Sequence, residues 1–326
     1  MLPSLLEVTI FGPQYQAGCY NSTDHMAATA HYRRGLTVVN AYALHPSIRH
    51  FHERMKEEFS FLHIDLDLIN AAEVQAVLRA DGSVSTTALP YDFILYLDKD
   101  RYIAKMLEMR GYRLFNKARA IELCDDKMET YIALSGYGIH MPKTITAPLC
   151  YVTPKNDDFL HTVSLNLSFP LIAKANFGSQ GSGVMLVKDI AELKAMEAGL
   201  QDKAHLYQEF VETAKGFDYR LIVVNGTFVA GYVRRNLNGD FRSNLAQGGI
   251  GEPHQMTESQ IAIAEKAARA LGLDYCGVDL LESGVPEDPI LCEVNSNAFM
   301  RGAEEITKIN VAEKYAAHIA RCIYGE

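Results

Sequence analysis

Asn225-Gly226 stands between two apolar, β-prone runs, 217–224 and 227–233. Asn-Gly in that setting is the strongest short-range hairpin signal, because both residues tolerate the positive φ of a tight turn. An antiparallel sheet is therefore demanded in this part of the chain. A second pair of runs, 275–282 and 289–295, flanks Ser283-Gly284-Val285-Pro286-Glu287-Asp288 and reads as another antiparallel pair. Upstream the pattern changes. Strands at Leu36–Tyr42, Phe61–Asp65 and Asp92–Leu97 alternate with helical stretches, from His45-Pro46 to about Phe59 and from Lys99 to Arg110. Such alternation implies parallel βαβ units. Residues 5–12 read as an additional strand, and 13–34 carry no assignable pattern.

Between these regions, 117–136 is helical and ends at Gly136 and Gly138. Leu171–Ala175 and Val184–Val187 read as strands flanking a glycine-rich loop, followed by a helix from Asp189, its candidate N-cap, to Leu200. After 205 the chain turns β, with helices at 257–271 and 310–323. The 326 residues allow two or three domains at roughly 100–200 residues each. We expect an α/β domain over 1–115, a small central α+β domain over 116–207 and a C-terminal α+β domain over 208–326.

A formal charge of −9 argues against broad binding to nucleic acid or anionic membranes, which need a positive surface. No apolar run reaches the ~18–20 residues of a membrane span. Met1–Glu7 lacks the basic start of a signal peptide, and six scattered cysteines without a Cys-x-x-Cys spacing fit free thiols in a reducing compartment. The expected location is cytoplasmic.

Four groups of residues could carry chemistry. Gly178-Ser179-Gln180-Gly181-Ser182-Gly183 follows Lys174 by four residues; backbone N–H groups of such a loop can close around phosphate oxygens. It is neither a Walker A loop nor a dinucleotide fingerprint, and a plain hairpin tip is an equal reading. Pairing about Pro286 places Asp279 opposite Glu293, with Asn295 on the same face. Three oxygen donors thus converge in an apolar sheet, a set suited to Mg2+. Asp218 and Arg220 share a face of the Asn-Gly hairpin; Arg234 and Arg235 end its return strand, and Asp240-Phe241-Arg242-Ser243-Asn244 follows. Arginine forks suit phosphate and carboxylate, although surface ion pairs would use the same residues. Asp126-Lys127 opens a helix, where a capping acid and a solvated lysine are the simpler reading.

Taken in order, these pieces resemble the ATP-grasp superfamily and its RimK-type branch of carboxylate–amine ligases. The match runs from about Asp125 to Tyr315 and also includes Gln208-Glu209-Phe210-Val211, Gly248-Gly249 and Gly277-Val278. The resemblance implies an ATP-grasp fold with a pre-ATP-grasp N-terminal domain and a mobile central lid. It implies ATP, and Mg2+ (one or two ions, or Mn2+), as cofactors. Lys127 and Lys174 would hold phosphates, residues 178–183 would fold over them, and 208–211 would bind adenine. Asp218 would sit by the ribose, with Arg242, Ser243 and Asn244 near the nucleotide. Asp279, Glu293 and Asn295 would hold the metal, and Lys174, Arg220 and Arg234 would neutralise the transferring phosphoryl group.

The family places its arginine at 234, whereas a two-residue hairpin count puts Arg235 on the face of Asp218; one bulged residue would reconcile the two. The substrates implied are a small-molecule or peptide carboxylate and an amino-acid amine such as glutamate, and the assembly implied is a homodimer or homotetramer. One departure stands out. The RimK pattern after the metal-binding Asn continues through a small residue to Ser-Pro-Gly, whereas this chain has Ser296-Asn297-Ala298-Phe299-Met300-Arg301. That stretch keeps a second reading open, an ATP-binding regulatory protein that lost ligation.

Overall fold

The structure, a computed structural model, describes residues 33–325 apart from 43, 88, 152–157, 179–180, 182, 201 and 245–247. The expected strand at 5–12 and most of 13–34 lie outside the described residues.

The first layer is a four-stranded parallel sheet. It is built from β1 (Arg33–Val39), α1 (Pro46–Phe61), β2 (Ile64–Asn70), a short hairpin of β3 (Val77–Leu78) and β4 (Val84–Ser85), β5 (Phe93–Tyr96), α2 (Arg101–Met109) and β6 (Leu114–Phe115). The strand order is β2-β1-β5-β6. α1 starts where His45 caps it and Pro46 occupies the first turn; proline's fixed φ suits that position. Phe51, Met55 and Phe59 recur along one helix face and are buried. Asp100 caps α2 by accepting from the N–H groups of Tyr102 and Ile103.

The 117–136 helical stretch is two helices, α3 (Ala118–Asp125) and α4 (Lys127–Leu134). Asp126 leaves the helical conformation and its carboxylate accepts from the N–H groups of Met128 and Glu129, so the residue between them is a cap. A central antiparallel sheet follows, from β7 (Thr144–Thr146), α5 (Asp158–Asn166), β8 (Leu171–Ala175), β9 (Val184–Val187), α6 (Ile190–Leu200) and β10 (His205–Glu209), in the order β7-β10-β8-β9. Asp189 caps α6 as expected, its side chain accepting from Ala191 and Glu192.

The last unit is a five-stranded antiparallel sheet, order β13-β12-β11-β14-β15. It comprises β11 (Phe217–Val224), β12 (Thr227–Asn236), β13 (Gly249–Pro253), α7 (Glu258–Leu271), β14 (Tyr275–Leu281), β15 (Ile290–Asn295), α8 (Arg301–Thr307) and α9 (Val311–Tyr324). Asn225 and Gly226 both have positive φ, at 50° and 67°, which the Asn-Gly turn requires. Leu221, Val223, Val278 and Leu280 pack one face of this sheet against α3, α4 and α7, and Ile222, Ala230, Tyr232 and Tyr275 pack the other against α1, α8 and α9.

Two expected boundaries need correction. A division at 207/208 would cut β10, whose ladder with β8 runs from His205 to Glu209. Leu123, Tyr131 and Leu134 pack in the core of the C-terminal sheet, and Ala118 and Ile121 in the core of the first sheet. The expected strand at 61–65 starts later, at Ile64, because Phe61 still ends α1.

A buried ionic link ties α6 to β10. His205, 1% exposed, places Nε2 3.0 Å from a Glu197 carboxylate oxygen and Nδ1 2.8 Å from the Lys203 carbonyl. Both partners only accept, so both ring nitrogens donate and the ring is an imidazolium. Burial opposes that charge, but Glu197 outweighs it and holds the His205 pKa above its ordinary 6.5. A raised histidine stabilises fully below its unfolded pKa and loses that contribution as pH rises through the folded value. The stability difference between wild type and His205→Gln should therefore shrink as pH climbs above 6.5, which pH-dependent urea melts will read; a constant difference sinks the assignment.

Candidate active site

One face of the five-stranded sheet changes character along its length. Ile222, Ala230 and Tyr232 make its apolar half. Two residues further along each strand, charge takes over: Asp218 and Arg220 on β11, Arg234 on β12, Asp279 on β14 and Glu293 on β15. Two irregularities set this pattern. Ile222 pairs with Ala230 but Val223 with Phe228, so Val229 is an extra residue in β12. That bulge brings Arg234, not Arg235, opposite Asp218. Asp279 pairs with Glu293 but Leu280 with Leu291, leaving Cys292 as the extra residue in β15.

The charged half is tightly knit. Arg234, 4% exposed, donates from Nε and Nη2 to the two Asp218 oxygens at 2.6 Å each. Its Nη2 also lies 3.0 Å from Asp279. Arg220 grips Asp279 with Nε and Nη2, the second bond at 2.8 Å. The Ser243 hydroxyl donates to Asp218. Burial alone would raise the pKa of Asp279; the Arg220 and Arg234 guanidiniums hold it below the ordinary carboxylate range. Gly277 leaves room for this network, because a Cβ there would lie 2.6 Å from the Ala298 methyl and 3.2 Å from Arg220.

Two lysines face this row. Lys174, on β8 and 7% exposed, donates to Oε1 of Gln208 at 2.6 Å, and its Nζ lies 4.0 Å from the Cys292 sulfur. Burial opposes its charge, yet Cys292, Tyr131 and Glu293 together keep its pKa raised. Burial pushes the Cys292 thiol up to about 11. Lys127, at the first position of α4, donates to the carbonyls of Gly178 at 3.0 Å and Asn176 at 3.4 Å, and lies 3.7 Å from Glu293. Its pKa is lowered, chiefly by burial. Arg242 donates to the Gly181 carbonyl at 3.2 Å, which ties the segment after β12 to the glycine loop.

These groups open on one cleft. Its lining includes Lys127, Lys174, Gly178 and Gly181; Gln208, Glu209, Phe210 and Val211; Asp218, Arg234, Arg242, Ser243 and Asn244; and Asp279, Cys292 and Glu293. A cleft with glycine carbonyls and amides at one wall, lysines and arginines at its floor and a strand-end carboxylate suits a polyanion held with a hard cation. A model of the RimK-like ATP-grasp domain matches residues 124–319, and those residues contain every one of these cleft groups.

The chain belongs to the RimK-like ATP-grasp family. It is an ATP-using enzyme of the carbon–nitrogen ligase class. The uncharacterized MG012 homolog of Mycoplasma pneumoniae is 32% identical over 275 residues, 82% of this chain and 92% of that protein. A probable alpha-L-glutamate ligase of Maridesulfovibrio salexigens is 34% identical over 226 residues, 67% of this chain and 71% of that protein. Among solved structures, a RimK domain ATP-grasp protein of Sphaerobacter thermophilus superposes with a TM-score of 0.63 at 20% identity, over 87% of this chain and 99% of that one. D-alanine–D-alanine ligase of Bacillus anthracis, complexed with ATP, gives 0.65 at 19% identity, over 90% and 98%. The ATP-grasp fold expected from the sequence is the fold observed.

Most of the expected site of this RimK-like chain is gathered in the cleft. Arg220 lies behind Asp279 and does not line it, nor do Gly183 and Asn295. Ser179, Gln180 and Ser182 lie outside the described residues. Both Asp279 oxygens accept from arginines, and Glu293 also lines the cleft. Cys292 and Asn176 were missed. Cys292 enters the cleft lining at the bulge, which strict alternation does not show. Asn176 donates to the capping carboxylate of Asp126 at 3.0 Å, a contact between segments fifty residues apart. Among the described residues no helix is long and apolar enough to cross a membrane.

Proposed function

We propose that this ligase activates a carboxylate as its acyl-phosphate with ATP and then joins it to an amine, releasing ADP and phosphate. One observation carries the reading: two buried lysines, the buried Arg234 and Gly178 and Gly181 of the glycine loop line one cleft into which Glu293 opens. Glu209–Val211 and Phe241 would seat the base, and Asp218 with Ser243 would face the sugar. Lys127, Lys174 and the loop amides would bind the phosphates. Arg220 and Arg234 would neutralise charge spreading over the transferring phosphoryl oxygens. The central sheet, carrying the loop between β8 and β9, would act as the lid that keeps water from an acyl-phosphate.

The donor chemistry fits Mg2+. Among the described residues no three His, Cys, Asp or Glu side chains form a metal cage. Mg2+, however, takes one or two carboxylates and completes its shell with phosphate oxygens and water. Glu293 and Asn295, with Asp279 behind them, would hold one or two ions. Asn295 supports this, because its Nδ2 is buried without a hydrogen-bond partner among the described residues, and turning the amide presents oxygen to the same spot. The ion would supply charge compensation for the terminal phosphates.

Glutamate is the first amine to test, given the alpha-L-glutamate ligases among the relatives. With ATP and Mg2+, phosphate release should require a carboxylate and an amine together and yield a stoichiometric amide by mass spectrometry. ATP binding without product across a broad screen of acids and amino acids would instead support the regulatory reading, which the 296–301 segment motivates.

A further inference from the structure

The parallel sheet changes direction between β1 and β5. From β1 the chain crosses through α1 to β2 on one side; from β5 it crosses through α2 to β6 on the other. Open α/β sheets bind ligands in the crevice that such a reversal leaves beyond the carboxyl ends of the strands. Asp98 stands there, just after β5, and is 9% exposed. Its carboxylate accepts from the Lys99 N–H at 2.7 Å and, at 3.4 and 3.5 Å, from the amide of Asn40, just after β1. Among the described residues no cationic group pairs with it. The neighbouring Lys99 ammonium turns away to Asp125, at 2.8 Å.

A carboxylate so far removed from water is costly without a counter-charge. The crevice also adjoins the reaction centre. Asn297 donates to the Asp98 carbonyl at 3.1 Å and lies two residues beyond Asn295, a span of at most about 7 Å of extended chain. We infer that Asp98 receives the ammonium of the amine substrate, at the β1–β5 crevice and within reach of the acyl-phosphate. The ligand class is a primary ammonium and not a metal ion, because the other groups at the carboxylate are N–H donors, which a cation cannot use as ligands.

This inference rests on the ligase reading above, and the test separates the two. The full chain is loaded with Mg2+ and the non-hydrolysable analogue AMPPNP, then titrated calorimetrically with each of the twenty common L-amino acids and their N-acetyl forms. At least one amino acid should bind, its N-acetyl form should bind at least tenfold more weakly, and Asp98→Asn should lose at least tenfold while its AMPPNP affinity stays within twofold. Asp98→Asn binding the same amino acid within twofold overturns the inference, as does an AMPPNP-loaded chain that binds no amino acid. Failure of the wild-type chain to bind AMPPNP overturns the ligase reading and, with it, this proposal.

Discussion

Replacing Glu293 with alanine should lower kcat for ADP and phosphate release at least about a hundredfold, the loss expected when one preorganised charge is removed from a phosphoryl-transfer site. Glu293 is the acid that opens to the cleft while Asp279 is held by Arg220 and Arg234. Its side chain is 25% exposed and its one described ion-pair partner, Lys127, lies at 3.7 Å, so the fold should tolerate the change. Glu293→Gln should lose activity to a similar degree, because the amide keeps the shape and removes the charge. Steady-state phosphate release together with a thermal melt checks this: turnover within tenfold of wild type would mean that the cleft binds its polyanion in some other way.

Arg234→Met should act on stability first. It leaves Asp218 with only the Ser243 hydroxyl and Asp279 with only Arg220, in a site where all four side chains are nearly or fully enclosed. Breaking a buried ion pair from one side costs about 3–5 kcal/mol, since the abandoned charge stays behind. Urea unfolding should show an unfolding free energy lowered by that amount, seen as a lower midpoint at an unchanged slope. The double change Arg234→Met with Asp218→Leu should recover part of the loss, because it removes the stranded acid. A single variant as stable as wild type would show that these carboxylates are not dependent on their arginines.

Much of this architecture is legible in the sequence where local rules suffice. Asn225-Gly226 announced its turn, Asp189 its cap, and symmetry about Pro286 placed Asp279 against Glu293. What escaped depends on events with no local signature. The single residue that enters the cleft at Cys292 comes from a one-residue irregularity in β15. Asp126 is legible as a capping acid that opens a helix, but the short helix before it, α3, merges with α4 in one continuous helical pattern. The strand-end position of Asp98 becomes meaningful only once the order β2-β1-β5-β6 is known. The allegiance of Leu123, Tyr131 and Leu134 to the distant C-terminal sheet is likewise tertiary, set by partners such as Tyr219, Leu221 and Val278 more than eighty residues downstream.

The extra residue at Val229 makes the identity of the buried arginine a matter of counting. Arg234 and Arg235 are chemically identical, and the only thing that distinguishes them is the parity of the chain between the turn and themselves. Size-preserving replacements along 227–233 leave that parity intact and should be borne quietly. Gain of one amino acid in the same stretch would carry Arg234 off the face of Asp218 without altering the residue, whereas loss of Val229 would only remove the bulge and leave Arg234 opposite Asp218. For this strand, a single insertion is therefore the dangerous class of genetic change, and a scan comparing single insertions with single substitutions should separate the two sharply.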